Sequence, residues 1–465
     1  MKPAKMLLTL AVSALFVPTA AMADNIYGPF PVTVKGYSGD KTDSTAYTGQ
    51  MARHVLQNSL KKLAGKADGS NAAELKDQMM AYYAGKDEGR AIIDPQTKGD
   101  FVVSQTVVDE ISKGKNLKGK TYKGEVNGWP GNMTGSEVIE FWIDKAANTK
   151  GGFDPLTGYN YPQLISKFAM GAVFYSQAVD NYLDEKLGAD NKPNNKPYKD
   201  GAYYTGKEHS WDEAFGYFGA PAHALTLDAG QAYGIAKKKD LGTADYNKDG
   251  KVDLYREMTY GHAYYAADAD KNGTNYMPTI FQAFLDGRKL ITDANGEALT
   301  DAQRSELVAY ADVIKKNWEQ VIAEAAFKYA GSVYKDLEKL QTITETGGDA
   351  KETFAKYGKH WGELKGFAMA LETSGQSLGE TGVKMNRLVG FGPVLLGGGQ
   401  VTGVDGNGEY IIGGDMSVGN YMVHMLKLQK LLADQFDLSA KKNDATAELA
   451  GLIEELGDAV SAEND

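Results

Sequence analysis

Cysteine is absent from this chain of 465 residues, and histidine occurs only 6 times. The lack of cysteine excludes disulfides, thiolate metal sites, a cysteine nucleophile and lipid attachment at an N-terminal cysteine. Any metal site must therefore use histidine, carboxylate and carbonyl ligands. Basic residues are fewer than acidic ones, 50 against 61, and the net charge is −11. We expect no nucleic-acid binding, because neutralising phosphates requires a basic stripe.

Long apolar runs are also missing, apart from one near the start. Lys2 and Lys5 precede a small and apolar run at residues 6–21, and an Ala-Met-Ala sequence ends at Ala23 before Asp24. This three-part pattern is typical of a secretory signal peptide that is cleaved after Ala23. No later stretch approaches the ~20 apolar residues that a membrane helix needs. We therefore expect a protein of the bacterial periplasm or cell surface that does not span the membrane.

The rest of the chain shows helical periodicity, and strand-like alternation is rare. Single hydrophobic cores stop growing at roughly 250–300 residues, so the length predicts more than one domain. We predict an all-α fold of two helical bundles, at 24–240 and 276–465, joined by a connection at 241–275. The Gly-rich stretches at 112–132 and 390–415 are predicted to be long loops, with a small hairpin near 409–412. Apolar residues recur at three- and four-residue steps over 46–63, 72–83, 136–147, 161–187, 301–340, 351–371 and 421–436.

An internal repeat supports the two bundles. Residues 206–217 and 358–367 both read Gly-Lys, a His, then Trp-x-Glu-x-x-Gly-aromatic, with an offset of one residue between His and Trp. Similar fragments, 171–174 and 331–334, lie upstream of the two copies. Two matches in the same order indicate a duplicated helix-loop-helix unit.

Each copy of the repeat places an imidazole beside a carboxylate. Residues three or four apart share one face of a helix, so His209 is adjacent to Glu213 and His360 to Glu363. Such a pair supplies two ligands to a divalent or ferric ion. In the first copy, Asp212 is an alternative to Glu213 as the carboxylate. The other interpretation is a buried His–Glu hydrogen bond that fixes helix packing, because buried polar groups need partners with or without a metal.

The second copy resembles a known family. Its Gly358, His360 and Glu363 fit the Gly-x-His-x-x-Glu signature of the imelysins, bacterial proteins associated with iron uptake and once classed as metallopeptidases. The stretches at 359–368, 209–217, 49–54 and 167–175 are similar to a related family of secreted bacterial proteins of unassigned function. The resemblance implies two helical bundles related by duplication. It also implies that His360 and Glu363 form a metal site.

A separate motif predicts calcium. Asp245, Asn247, Asp249 and Asp253 occupy positions one, three, five and nine of an EF-hand-type loop, Gly250 occupies position six, and Lys251 stands at the position that offers a backbone carbonyl. Arg256 stands at position twelve instead of the bidentate Glu, and Glu257 follows it. We expect a structural calcium ion that stabilises the connection between the bundles.

A second loop repeats part of this spacing. Asp268, Asp270 and Asn272 are followed by Gly273, but position twelve is Thr279. These residues either form a second calcium loop or complete the ligands of the first. The alternative for both loops is a polar turn between helices, since Asp, Asn and Gly are common turn residues.

Three functions follow from these patterns. The leading hypothesis is a periplasmic, imelysin-like protein that binds iron or an iron-bearing ligand for acquisition and not for catalysis. The second is a metal-dependent hydrolase that uses His360 and Glu363. The third is a calcium-stabilised helical scaffold that binds another envelope protein. No nucleophile triad, phosphate loop or dinucleotide fingerprint is present to suggest another activity.

Overall fold

The computed structural model describes residues 25–188 and 191–456 and is mainly helical, as predicted. The predicted signal peptide at 1–23 lies outside the described residues. Helices are confirmed at all seven predicted stretches, with ends shifted by a few residues. The helices are α1 (Thr48–Ala64), α2 (Ala72–Tyr83), α3 (Gly135–Ala147), α4 (Tyr161–Ala169), α5 (Gly206–Phe218), α6 (Ala229–Ala236), α7 (Leu241–Ala244), α8 (Gly261–Asp270), α9 (Tyr276–Asp293), α10 (Asp301–Glu345), α11 (Lys351–Leu371), α12 (Gly379–Val389), α13 (Val418–Phe436) and α14 (Leu449–Leu456).

Side-chain caps explain where several of these helices begin. Thr205 caps α5 by accepting a hydrogen bond from the Glu208 backbone N–H, and the Glu208 carboxylate accepts one from the Thr205 N–H in return. Thr300 and Gln303 form the same capping box at the start of α10. Each box satisfies backbone donors that the first helical turn leaves without partners.

Irregular helical segments connect the longer helices. α4 continues directly into two π-helical segments, Met170–Tyr175 and Gln177–Glu185, so the chain is helical almost to the end of the predicted stretch at 161–187. π-Helical turns are uncommon and occur frequently at functional sites. Short 3₁₀ turns lie at Val108–Glu110, Lys118–Lys120, Lys150–Gly152, Ala224–Thr226 and Thr446–Glu448.

One small sheet interrupts the Gly-rich stretch before α13. Strands β1 (Gln400–Val404) and β2 (Tyr410–Gly413) are antiparallel, with Gln400 opposite Gly413 and Val404 opposite Tyr410. A bulge lies between Val401 and Gly403. The predicted hairpin is therefore confirmed. Within the described part of the chain, no helix has the length and apolar character needed to cross a membrane.

The buried apolar residues form one continuous cluster that extends from Tyr27 to Ala445. Long α10 packs against α9, α11 and α13. Helices from the two sides of the predicted domain boundary also pack together, because α4 contacts α11 and α5 contacts α9. The two predicted bundles thus share a core.

A stripe of small residues explains how closely α11 approaches α4. Gly358, Gly362, Gly366 and Ala370 recur every four residues and so lie along one face of α11. A methyl group added at Gly358 would overlap the carbonyl oxygen of Gly158. One added at Gly366 would overlap the side chain of Lys167 and the backbone that follows it. Packing therefore requires a glycine at position 358, the glycine of the Gly-x-His-x-x-Glu motif. Because the stripe packs toward α4, it also fixes which face of α11 carries His360 and Glu363.

Candidate functional site

His360 and Glu363 line one cleft of about 780 Å³. The cleft lies between α1, α4, α8, α10 and α11, with the residues just before α8 at one side. Both side chains project from α11, one helical turn apart. A volume of this size is within the usual range for small-molecule sites.

Asp336 on α10 orients His360. Its Oδ2 lies 2.5 Å from His360 Nδ1, and its Oδ1 lies 3.3 Å from Lys356 Nζ. Asp336 is only 2% exposed. A carboxylate at Nδ1 holds the proton on that nitrogen, so Nε2 is the ring nitrogen that can bind a metal or accept a proton. The sequence analysis did not identify Asp336.

Glu363 faces a buried lysine. Lys167 Nζ lies 3.9 Å from Glu363 Oε1, and Lys167 is 4% exposed. Burial, together with the nearby ammonium of Lys61, holds the pKa of Lys167 well below its usual range, although Glu363 opposes this shift. Burial also lowers the pKa of Lys61. Because a lowered pKa favours the neutral amine, Lys61 and Lys167 bring less positive charge to this end of the cleft than ordinary lysines would.

The cleft as a whole is cationic. Its acidic lining residues are Glu363 and Asp94, and Asp94 already forms an ion pair of 2.8 Å with Lys238. Lysines from α1, α4, α10, α11 and the residues just after α6 surround them. The lysines that line the cleft are Lys61, Lys62, Lys167, Lys237, Lys238, Lys328 and Lys359.

Tyrosine rings form much of the remaining wall, at Tyr260, Tyr264, Tyr265 and Tyr329. Three of them have a lysine ammonium near the ring. Lys237 Nζ lies 4.6 Å from the centre of the Tyr264 ring, Lys167 Nζ 5.2 Å from that of Tyr265, and Lys328 Nζ 5.0 Å from that of Tyr329.

The first copy of the repeat forms a separate pair. On α5, His209 Nε2 lies 3.6 Å from Glu213 Oε2, and Gln50 donates a hydrogen bond of 2.7 Å to Glu213 Oε1. The ring of Tyr204 stacks on His209 at 4.6 Å. Burial lowers the pKa of His209. Burial acts to raise the pKa of Glu213, but His209, Tyr182, Gln50 and Lys120 outweigh it and the pKa is lowered. Neither His209 nor Glu213 lines the cleft of His360.

Asp212 faces away from His209 and belongs to a buried ion pair. Its Oδ1 accepts hydrogen bonds from Tyr27 Oη at 2.8 Å and from Arg288 Nε at 2.9 Å, and its Oδ2 accepts one from the Ala46 N–H. Arg288 also bonds to Glu208 at 3.2 Å. The structure therefore pairs His209 with Glu213 and gives Asp212 a role in joining α5 to α9.

The first predicted calcium loop is closed by its own carboxylates. Asp245 accepts hydrogen bonds from the N–H groups of Asp249 and Gly250, and Asn247 Oδ1 accepts one from the Asp249 N–H. Glu257 accepts bonds from the N–H groups of Tyr246, Asn247 and Asp253. Gly250 has a φ of 86°, which favours glycine. The pKa of Glu257 is raised by burial, and Asp253 and Asp245 add to that shift.

The oxygens of this loop retain capacity for a cation. Each carboxylate oxygen has two lone pairs, so an oxygen that accepts one N–H can still bind an ion. Two oxygens are less available, because Asp253 Oδ1 and Glu257 Oε1 each already accept two hydrogen bonds. Calcium would therefore depend first on Asp245, Asn247, Asp249 and the Lys251 carbonyl, and then on the other carboxylate oxygens of Asp253 and Glu257.

The residues of the second predicted calcium loop have other partners. Asp268 lies within α8 and forms ion pairs with Lys328 at 2.7 Å and Lys442 at 2.9 Å. Asp270 accepts bonds from the N–H groups of Tyr276 and Met277 and so caps α9. Asn272 donates to the Asp268 carbonyl. These residues join α8 to α9 and to α10.

No group of three or more His, Cys, Asp or Glu side chains in the described ranges is arranged as a ready metal site. His360 and Glu363 supply two metal-type ligands to the cleft, so an ion bound there would bring further ligands with it.

Comparison with known proteins gives one match. A family model described as a domain of unknown function (DUF4856) matches residues 145–379, which is half of the chain. The matched segment contains both His–Glu pairs and both calcium-type loops, and it ends before the hairpin. No curated protein and no solved structure matches this chain.

Proposed function

This chain belongs to the DUF4856 family, a domain of unknown function, and from the geometry of its cleft we propose that it is an imelysin-like envelope protein that binds iron as an anionic complex. The observation that carries this proposal is the charge of the cleft. Seven lysines, of which Lys61 and Lys167 have a lowered pKa, surround two acidic residues in a chain whose net charge is −11. Such a concentration of positive charge favours an anionic ligand and attracts it from solution.

The pair on α11 supports iron as the bound metal. Asp336 contacts His360 Nδ1 and leaves Nε2 available to bind a metal, as carboxylates behind metal-binding histidines do. With Glu363, the protein offers two ligands, and the chelate supplies the others. The resemblance of Gly358, His360 and Glu363 to the imelysin signature supports the same assignment, as does the signal-peptide pattern that ends at Ala23.

The internal repeat suggests that the fold arose by duplication of a helical unit. We propose that α5 and α11 descend from one duplicated unit, because each follows a long helical stretch against which it packs. Trp211 and Trp361 are both buried, and each donates its indole N–H, to the Phe284 carbonyl and to the Tyr421 hydroxyl respectively. In this proposal the cleft uses only the second His–Glu pair.

Calcium has a structural role in the proposal. The hydrogen bonds that turn Asp245, Asn247 and Glu257 into one loop support it. The loop also pairs with an earlier segment, because Val252 bridges Val103. A bound ion would therefore stabilise the connection between α7 and α8, and in a scaffold protein the same loop would present a surface to an envelope partner.

A metal-dependent hydrolase is the second candidate function. The Asp336–His360 contact favours it, because an oriented imidazole can act as a general base. Release of products from peptide or ester substrates in the presence of Zn²⁺, abolished in both His360→Gln and Glu363→Gln, would support this candidate over a carrier.

Equilibrium binding to the mature chain tests the leading proposal, with ferric citrate and iron-free citrate as ligands. We expect ferric citrate to bind more tightly, and the affinity to fall as salt rises, because screening weakens charge attraction. Lys359→Gln should lower the affinity by up to about fivefold, which corresponds to one surface charge interaction of up to about 1 kcal/mol. Lys351→Gln is the matched control, since Lys351 is exposed on the same helix and does not line the cleft.

Two results would count against the proposal. Equal binding of iron-free and ferric citrate, unchanged in His360→Gln, would leave an anion-binding protein and reject iron. Binding that is insensitive to salt and to Lys359→Gln would reject the charge of the cleft as its basis.

A further inference from the structure

The cleft has a feature that is not needed to bind a ligand through its negative charge alone. Three of its lysines lie over tyrosine rings that also line it, at 4.6, 5.2 and 5.0 Å from the ring centres. These pairs, Lys237–Tyr264, Lys167–Tyr265 and Lys328–Tyr329, come from six positions on α4, α8, α10 and the residues just after α6. Their convergence on one cavity is a property of the folded chain.

Two of these pairs, Lys237–Tyr264 and Lys328–Tyr329, hold an ammonium group beside an aromatic ring. A ligand that carries only carboxylates would be attracted by the lysine ammonium but would gain little binding energy from the tyrosine ring. An electron-rich ring that is itself anionic would gain from both, because it attracts the ammonium through its face as well as through its charge. It would also pack against the tyrosine, since aromatic rings prefer offset or edge contacts with one another.

The local surroundings of each pair support this recognition. Tyr264 is the partly exposed ring, and its hydroxyl is fixed by a contact of 3.3 Å with the Tyr233 hydroxyl. Lys328 is held in place by its ion pair with Asp268. Side chains that are fixed before binding lose little conformational freedom when a ligand arrives.

We propose that the ligand of this cleft is an aromatic polyanion, namely an iron chelate of the catecholate type. This inference rests on the proposed function and narrows its ligand class. Catecholate rings combine negative oxygens with an electron-rich face, and the Lys237–Tyr264 pair offers such a ring both an ammonium group and a partly exposed aromatic face. A cleft of about 780 Å³ is of a size for a ligand with more than one ring.

Binding of two ferric complexes to the mature chain tests this ligand class. The probes are a ferric bis-catecholate built on 2,3-dihydroxybenzoyl groups, which leaves two coordination positions for His360 and Glu363, and ferric citrate, with the gallium bis-catecholate as a redox-inactive check. We expect the two bis-catecholates to bind alike and more tightly than ferric citrate.

Variants at Tyr264 separate the ring from the charge. Tyr264→Leu should weaken bis-catecholate binding about threefold to tenfold and leave ferric citrate binding unchanged, because only the ring contact is lost. Tyr264→Phe keeps the ring and should leave both affinities unchanged. Tyr198→Leu is the matched control, since Tyr198 also lies under a lysine, Lys192, at 4.7 Å but does not line the cleft. Thermal unfolding of each variant checks that the fold is retained.

The outcomes distinguish this inference from the proposed function. If ferric citrate binds as tightly as the bis-catecholate, or if Tyr264→Leu weakens both equally, the aromatic ligand class is rejected and the iron-binding function stands. If neither ferric complex binds, the proposed function fails.

Discussion

At the scale of single residues, two buried histidines make stability depend on pH. His262 is fully buried, and both of its ring nitrogens lack a hydrogen-bond partner within the described structure. His54 is 1% exposed and contacts the Gly216 carbonyl through Nε2 at 3.0 Å. Burial lowers the pKa of each ring to about 3. Both rings are therefore neutral in the folded protein at neutral pH.

We predict that the free energy of unfolding falls as the pH drops from about 6.5 toward about 3. In this window the unfolded chain binds protons at His54 and His262, near their ordinary pKa, while the folded chain does not. Each histidine should lower stability by up to about 1.4 kcal/mol per pH unit. Urea unfolding at several pH values measures this slope. His262→Phe should reduce the slope of the unfolding free energy against pH by the contribution of one proton. An unchanged slope would contradict the prediction.

The candidate site was predictable at the residue scale only where its residues are close in sequence. His360 and Glu363 share a turn of α11, so periodicity alone placed them together. Asp336 lies on the preceding helix, 24 residues before His360. Its contact depends on how α10 and α11 pack, which no local pattern specifies. The choice between Asp212 and Glu213 likewise depended on Arg288, which approaches from α9.

At the scale of elements, the small-residue stripe of α11 leads to a matched pair of substitutions. Gly366→Ala should lower the free energy of unfolding by about 1–3 kcal/mol, because the new methyl group would overlap the Lys167 side chain and the Phe168 backbone. Gly362→Ala should be nearly neutral or stabilising. Its new methyl group would lie 3.2 Å from the Asn160 carbonyl oxygen, a close contact that a shift of a few tenths of an ångström relieves, and alanine favours a helix by up to about 1 kcal/mol. Chemical denaturation of both variants measures the difference, and equal effects would show that α11 can move away from α4.

The calcium-type loop between α7 and α8 gives a second prediction at this scale. A ligand that binds only the folded state stabilises it by about 2.7 kcal/mol at a hundredfold excess over Kd. We therefore expect the melting temperature to rise by a few degrees when calcium replaces a chelator. Affinity should be weak, because Arg256 replaces the bidentate Glu.

Two variants test which residues carry this response. Asp245→Ala should abolish the difference between calcium and chelator. Asn272→Ala should leave it unchanged, since Asn272 bonds within the turn after α8. A melting curve that millimolar calcium does not move would reduce the loop to a polar turn.

Element types followed from the sequence more reliably than their details. Apolar residues at three- and four-residue steps predicted the long helices, because burial of one helix face sets that period. The change of α4 into π-helical turns was not predicted, because it depends on packing against α11. Short helices such as α8 have little periodicity of their own and are held by tertiary contacts, including the ion pairs of Asp268.

At the scale of the whole molecule, the amino-acid composition gives no indication of the lysine-rich cleft. A net charge of −11 describes an acidic surface, yet lysines from several helices converge on one cavity. In sequence they are scattered from Lys61 to Lys359, so no run of basic residues marks them. Overall charge is a property of the whole composition. A local excess of the opposite sign, such as the lysines of this cleft, arises only from the fold.

The shared core leads to a last prediction, on cooperativity. α4 packs on α11 and α5 packs on α9, so each predicted bundle buries apolar surface against the other. Arg288 on α9 is fully buried between carboxylates of α5, and separating the bundles would expose an ion pair formed across their boundary. We expect one unfolding transition, with far-UV and near-UV circular dichroism coincident and calorimetric and van't Hoff enthalpies equal. The segment 276–465 expressed alone should not fold, because the glycine face of α11 would lose α4. Two separate transitions, or a folded 276–465 segment, would instead show that the bundles are independent domains.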